Sequence, residues 1–338
     1  MSGAAYVQPK AAWKVMLDGK DLTATLSPLL ISLKLDEATD EKADKLEITI
    51  RDDGTVALPP EGAVLAVWLG WERGTGVAVG LVPKGTFKVD DVTWEGPPDR
   101  ICISAHSADF VGGFRKRKNK GWHSKTLGAI VAEMAAQNGL TAKCHADLAD
   151  TVVTSAEQAN KSDMQFLRDL GRRYDAVAAI KGGSLLFAPK NAATTVNGQT
   201  IPTLTITRKD GDRASYKRSA REAEHNGAEA QYFDQGTAKR VTVGAGGSNR
   251  RRMKRIYASH ADASAAAQSQ ANRQARKKAS FSITLALGDA RLSAGAKATV
   301  SGFKAEIDAK KWLIGSVTHQ MDGSNGLRTA LELLVTKF

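Results

Sequence analysis

The chain of 338 residues has two cysteines, Cys102 and Cys144, and they show no metal-type spacing. This argues against a cysteine-zinc module and leaves buried or idle thiols of a reducing compartment. No apolar run approaches the ~20 residues that cross a bilayer, so no membrane-spanning segment is expected. The N-terminus has no signal-peptide apolar region, and the expectation is a protein made and folded in a cytoplasm. His106, His123, His145, His225, His260 and His319 are scattered, with no two four residues apart and none at ligand spacing from a cysteine. There is no Gly-x-Ser-x-Gly elbow, dinucleotide fingerprint or kinase signature. The stretch Gly244-Ala245-Gly246-Gly247-Ser248 is closed by no Gly-Lys-Ser/Thr, so it is not a phosphate loop. His225 beside Glu222 and Glu224 could be imagined as an acid/base group, but the polar surface of a hairpin is the better account. Asp52/Asp53 and Asp90/Asp91 read as turn residues. No catalytic set, cofactor or metal is expected.

Cations and alternation are what the sequence does have. The net charge is +12. Between Thr207 and Ser280 seventeen Lys/Arg face seven Asp/Glu, so most of the excess lies in one region and implies an anionic partner, nucleic acid or acidic protein. Two basic runs stand out as partner-binding candidates: Arg115-Lys116-Arg117-Lys118, a loop with Lys120 and Trp122 nearby, and Arg250-Arg251-Arg252-Met253-Lys254-Arg255. A charged, solvated domain boundary is the plainer reading of the first run.

The first ~110 residues alternate as strands. Trp13, Val15 and Leu17 precede the turn Asp18-Gly19. Ile31, Leu33 and Leu35 form a second set, and Leu46, Ile48 and Ile50 a third. Ser124 reads as the N-cap of a helix whose apolar stripe is Leu127, Ile130, Val131, Met134 and Ala135, stopped by Gly139. Ser162 and Gln165 stand as a capping box before Phe166, Leu167, Leu170 and Tyr174, and a hairpin turns at Lys181-Gly182-Gly183-Ser184. Gly244 to Ser248 reads as a break in structure. Ser259 to Ala279 reads as a surface helix with an alanine face that docks lightly or against another subunit. At the end, Phe281, Ile283, Leu285 and Leu287 alternate. Trp312 and Ile314 are followed by a one-residue slip at Gly315-Ser316, the mark of a β-bulge. Val317 and His319 continue that strand, His319 in a partly buried, hydrogen-bonded role, and Thr329, Leu331, Leu333 and Val335 close the chain.

Three stretches carry a resemblance. "ISLKLDEATDEKADKLEITIRD" has an extended strand, an acidic loop, and a strand with Asp44, Leu46 and Ile48. "QANKSDMQFLRDLGRRYDA" with "KGGSLLF" has a Ser-Asp-x-x-Phe-Leu helix before a hairpin. "LSAGAKATVSG" with "KWLIGSVTHQMDGSNGLRTALEL" ends the chain. In this order they resemble the late control D family of phages, baseplate hubs of contractile tails, similar to the hub part of type VI secretion spikes. The resemblance implies a β-rich α+β fold: two β-barrel, tube-like domains bridged by a small α/β unit. The expected boundaries are 1–112 for the first barrel, 113–200 for the bridge, and 201–338 for the second barrel, with a basic loop and helix inserted at about 244–280. It implies a homotrimer joining the sixfold tail tube to a trimeric central spike, with wedge or sheath components as further neighbours and transient contact with DNA in the channel. The expected location is the virion tail baseplate, assembled in the bacterial host cytoplasm. The reading from another class, a basic nucleic-acid-binding late regulator, lacks a visible helix-turn-helix or zinc site. A tail-tip cell-wall hydrolase lacks a domain to hold it.

Overall fold

The computed structural model describes residues 6–336 apart from 39–43, 108–113, 115, 182, 193, 202, 220–224 and 324–325. The first segment holds β1 (Lys10–Leu17), β2 (Lys20–Asp21), the one-turn α1 (Thr23–Leu26), β3 (Leu30–Ala38), β4 (Lys45–Arg51), β5 (Val64–Arg73), β6 (Gly80–Glu95) and β7 (Arg100–Ser107). The middle holds β8 (Arg117–Thr126), α2 (Leu127–Gln137), β9 (Thr141–Cys144), α3 (Ala146–Ala149), β10 (Val152–Ser162), α4 (Asp163–Tyr174), β11 (Ala176–Lys181) and β12 (Ser184–Pro189). The last opens with β13 (Leu204–Thr207), β14 (Gly211–Arg218), β15 (Gly227–Asp234), β16 (Lys239–Gly246), β17 (Arg250–Tyr257) and α5 (His260–Lys277). It closes with β18 (Ala279–Leu285), β19 (Lys297–Ser301), α6 (Ala305–Asp308), β20 (Trp312–Asp322) and β21 (Gly326–Val335). The fold is β-rich, as expected.

One sheet of thirteen strands unites the two ends of the chain. Its path is β14-β18-β21-β20-β3-β4-β7-β6-β5-β1-β2, with β13 and β19 attached beside β20. The seam is the antiparallel pair β20–β3, running from Ser316 opposite Ala38 to Asp322 opposite Ser32. Alternation buries one face on each side of that seam. Trp13, Val15, Leu33, Leu35, Leu46, Ile48 and Ile50 belong to the first core, and Phe281, Ile283, Trp312, Ile314, Leu331 and Leu333 to the last. The β20–β21 hairpin is long enough to enter both: its base lies in the last core, while Met321 and Leu327 near its tip lie in the first. The register shifts between Ile314 and Ser316, the bulge expected at Gly315.

The middle segment has its own core of Trp122, Ile130, Val131, Phe166, Leu167, Leu185 and Phe187. It is built from the β8–β10 pair and the β11-β12-β9 sheet, with α2 and α4 packed on them. Ser162 caps α4, accepting from the Gln165 backbone N–H at 3.2 Å. Gln165 turns its own side chain to Asp169 at 3.1 Å. The box therefore closes on one side only.

Several local readings are corrected, and Asp90 and Asp91, read as turn residues, lie inside β6. The α2 cap is Thr126, which accepts from the Ala129 N–H at 3.2 Å; Ser124 sits inside β8 at φ +48. Ile31 is 46% exposed, because the β3–β4 register shifts between Leu30 and Ser32 and turns it outward. Gly244 to Gly246 break nothing: they end β16, and the basic run that follows is strand β17. The alanine-rich stretch is no lightly docked surface helix. Ala263, Ala266, Ala267 and Ala271 of α5 are buried, and the helix packs on β15, β16 and α4. Small side chains allow this close approach, which a scale of hydrophobicity per residue conceals.

Candidate interface surfaces

The first basic run is not a loop. Arg117 and Lys118 lie in β8, antiparallel to β10, with Arg117 opposite Ser162 and Lys118 opposite Lys161. Lys116 and Arg117 are exposed, and Arg115 falls outside the described residues. The Lys118 ammonium lies 2.7 Å from Asp163, which is buried and also accepts from Asn138 at 3.2 Å and Gln158 at 2.8 Å. Burial pushes the Asp163 carboxyl up, but the hydrogen bonds from Lys118, Gln158 and Asn138 outweigh it and hold the group below the usual carboxylate range. Lys120 and Lys125 both reach Glu133 of α2, and these hydrogen bonds, Lys120's first, depress its carboxyl. Trp122 is buried against Phe166, with ring centroids 5.9 Å apart, while Lys120 lies 4.1 Å from the indole centroid. Among the described residues no exposed ring is left here for a base to stack on. Lys118 and Lys120 tie β8 to α4 and α2.

The second run lies on an edge strand. β15 is the centre of a three-stranded sheet, antiparallel to β16 and parallel to β17. Arg250, Arg251, Arg252, Lys254 and Arg255 are all exposed. Arg252 pairs with Glu229 at 2.6 Å, Arg250 donates to the Gly247 carbonyl at 3.0 Å, and Arg255 lies 5.6 Å from the Tyr257 ring centroid. Arg251 and Lys254 have no carboxylate within ion-pair distance among the described residues. The sequence run missed two cations across the sheet, Lys239 and Arg240 of β16, which stand opposite Asp234 and Phe233 of β15. An adjacent Lys-Arg pair opening an alternating stretch was their only signal.

Behind this sheet, α5 is bound to α4 by polar contacts that sequence reading also missed. Arg173 lies 3.3 Å from Asp262, Tyr174 donates to Asp262 at 2.8 Å, and Ser269 donates to the Arg172 carbonyl at 2.6 Å. Burial first, then the Asp262 charge, raises the Tyr174 phenol far above its ordinary range. Asp175, in the left-handed position that ends α4, receives Arg276 and Asn272 of α5. Beside this joint runs a groove of about 690 Å³ lined in part by Arg168, Arg172, Lys190, Arg273, Arg276 and Lys277.

Where β20 meets the first segment, His319 is completely buried. Its Nε2 faces the Leu292 carbonyl at 3.3 Å and its Nδ1 the Thr329 hydroxyl at 3.0 Å. A carbonyl only accepts, so Nε2 carries the proton and Thr329 donates to Nδ1. Burial, and then the nearby Lys84 cation, push the imidazole down to about 3. Glu37 lies 3.8 Å away and would favour protonation, but it is paired with Lys84 at 3.4 Å.

Among the described residues no group of three or more His, Cys, Asp or Glu could hold a metal ion. Both cysteines are free thiols, and burial pushes Cys144 up to about 11, away from the reactive thiolate. His225 meets Asn249 at 3.3 Å; Glu222 and Glu224 lie outside the described residues. No described helix is long and apolar enough to cross a membrane. The described polar clusters join elements of the fold, and Arg251 and Lys254 stand on an exposed strand edge.

Two strand-rich cores around a shared hairpin, with a mixed middle segment of strands and helices, form a fold shared with phage tail proteins. A tail protein of Neisseria meningitidis superposes with a TM-score of 0.69 at 13% identity, covering 96% of each chain. A component of the Escherichia coli type VI secretion system, which has structural similarity to two T4 bacteriophage tail proteins, superposes with a TM-score of 0.55 at 11% identity. That match covers 91% of this chain and 74% of the other. The chain belongs to the phage tail baseplate hub (GPD) family, whose model matches residues 73–325. It is 35% identical to a probable baseplate hub protein of Escherichia phage 186, over 96% of this chain and 92% of that protein.

Proposed function

We propose that this hub works as a homotrimer seating a trimeric central spike at one end and the sixfold tail tube at the other. Its two strand-rich cores would then be two tube-like barrel units per chain, bounded at about 1–112 and 201–338, with 113–200 as the bridge. Three chains with two such units each present six, which matches the tube, while the trimer axis matches the spike. The observation that carries this reading is the β20–β21 hairpin, whose side chains enter both cores. A part that transmits force between tube and spike needs its two strand-rich units held as one body, and a shared hairpin supplies that. The role is structural and involves no reaction. Assembly takes place in the bacterial host cytoplasm, against tube, spike and wedge or sheath proteins.

The test is the mass of the purified chain in solution, alone and with the spike protein of the same phage, at low and high salt. A trimer, or a complex of three with three, is expected. A monomer or dimer indifferent to the spike, yet retarding duplex DNA in a salt-dependent way, overturns the reading in favour of a nucleic-acid-binding regulator.

A further inference from the structure

We propose that the outward face of the β16–β15–β17 sheet docks an acidic protein, with Phe233 and Ile256 as its apolar anchors and the flanking cations as its rim. The inner face is accounted for: Ala230 and Tyr257 pack with Ala263, Ala266 and Ala267 of α5. Alternation therefore sends Glu229, Gln231 and Phe233 to the other side. By register, Thr242 and Arg240 of β16 stand beside Gln231 and Phe233, and Arg252 and Ile256 of β17 stand beside Glu229 and Gln231. Phe233 is 46% and Ile256 41% exposed.

The charge around these two is one-sided. By alternation Arg240, Arg250, Arg252 and Lys254 share this face with Glu229, while Lys239, Arg251, Arg255 and Asp234 stand on the α5 side. Both carboxylates are engaged: Glu229 with Arg252, and Asp234 with the Gly236 N–H and the Thr237 hydroxyl, each at 2.9 Å. Cations that only blunted the edge strand against aggregation would explain Arg251 to Arg255. They would not explain an exposed phenylalanine on the central strand. A duplex also fits poorly, because phosphates call for cations without apolar anchors. Three strands about 4.8 Å apart, backed by a helix, also exceed a major groove about 12 Å wide once their side chains are added. An aromatic and an aliphatic side chain flanked by Arg240, Arg252 and Lys254 have the composition of a protein interface.

The inference rests on the hub reading, and the test separates the two. Ile256→p-benzoylphenylalanine, and in a second preparation Thr242→p-benzoylphenylalanine, is placed in the full chain, incorporated into phage particles and irradiated. The expected result is a crosslink from both positions to one other protein of the particle, mapped to a segment rich in Asp and Glu. Its yield should fall about tenfold when Arg240→Ser, Arg250→Ser and Lys254→Ser are added. Crosslinks to DNA, to a second copy of this chain or to a segment without acidic residues overturn the inference. So do particles that contain the hub but give no crosslink at either position. Failure of the chain to enter particles at all counts against the hub reading instead.

Discussion

Arg173 and Asp262 lie 89 residues apart in sequence and 3.3 Å apart in space, both almost fully buried, and they couple the middle segment to α5. The Arg173 guanidinium also donates to the Ser155 carbonyl at 3.3 Å and lies 5.4 Å from the Tyr257 ring centroid. One Asp262 oxygen has no hydrogen-bond partner. Arg173→Ala leaves a buried carboxylate without its cation, and about 3–5 kcal/mol of stability should be lost. The double variant Arg173→Met/Asp262→Leu should recover most of it, because no charge is stranded. Urea unfolding of both variants checks this; a double variant no better than the single one would sink the account.

Trp71 holds the first segment to the connection after β18. Its indole N–H donates to the Gly288 carbonyl at 2.7 Å, across 217 residues of sequence. Trp71→Phe keeps the apolar contact and strands that carbonyl, at a cost of about 1–3 kcal/mol. Hydrogen exchange should quicken at the Gly288 amide, which bonds to the Leu327 carbonyl of β21 at 2.8 Å, more than in β15 or β16. Uniform protection would mean that the bond positions nothing.

Gly70 lies in the middle of β5, where a Cβ would come within 1.9 Å of the Gly80 carbonyl oxygen. That neighbour is backbone, so the β5–β6 pair must separate locally. Gly70→Ala should cost about 1–3 kcal/mol. Gly323→Ala serves as the control, because nothing lies within 4 Å of its Cβ position and its φ is not positive. The melting temperature should drop for the first and hold for the second.

The parts of this fold legible in sequence are those governed by local alternation and turns. The strands around Leu46 and Phe281, the Ser162 cap and the bulge at Gly315 follow from side-chain period and from one glycine. Pairing between distant strands was not legible. Nothing near Ser316 says that it lies opposite Ala38, and nothing near Arg250 says that β17 joins β15 in parallel. The run from Arg250 to Arg255 has no alternation because its strand is an edge with polar surroundings, so it reads as a loop. The same limit governs the candidate surfaces. Both basic runs are visible as charge, yet Lys118 is engaged by Asp163 from another element while Arg251 and Lys254 are not. Only the fold separates the two cases. Phe233 looked like any strand residue until register placed it beside Arg240.

His319 gives the fold a pH dependence of definite sign. Its folded pKa of about 3 lies below the ordinary 6.5, so between these values the unfolded chain binds a proton that the folded chain refuses. The stabilisation from the neutral imidazole is fully present above pH ~6.5 and is lost as pH falls toward about 3, by about 1.4 kcal/mol for each pH unit. The groups facing it are Lys84, Glu37 and Asp289, with Thr329 and the Leu292 carbonyl as hydrogen-bond partners. His319→Gln can keep a donor for Leu292 and an acceptor for Thr329, and it does not titrate. Urea midpoints at pH 7.5 and pH 5 should therefore fall further for the native chain than for the variant, with all other groups common to both. Equal losses in the two proteins would place the acid sensitivity elsewhere and leave His319 as a spectator of its own burial.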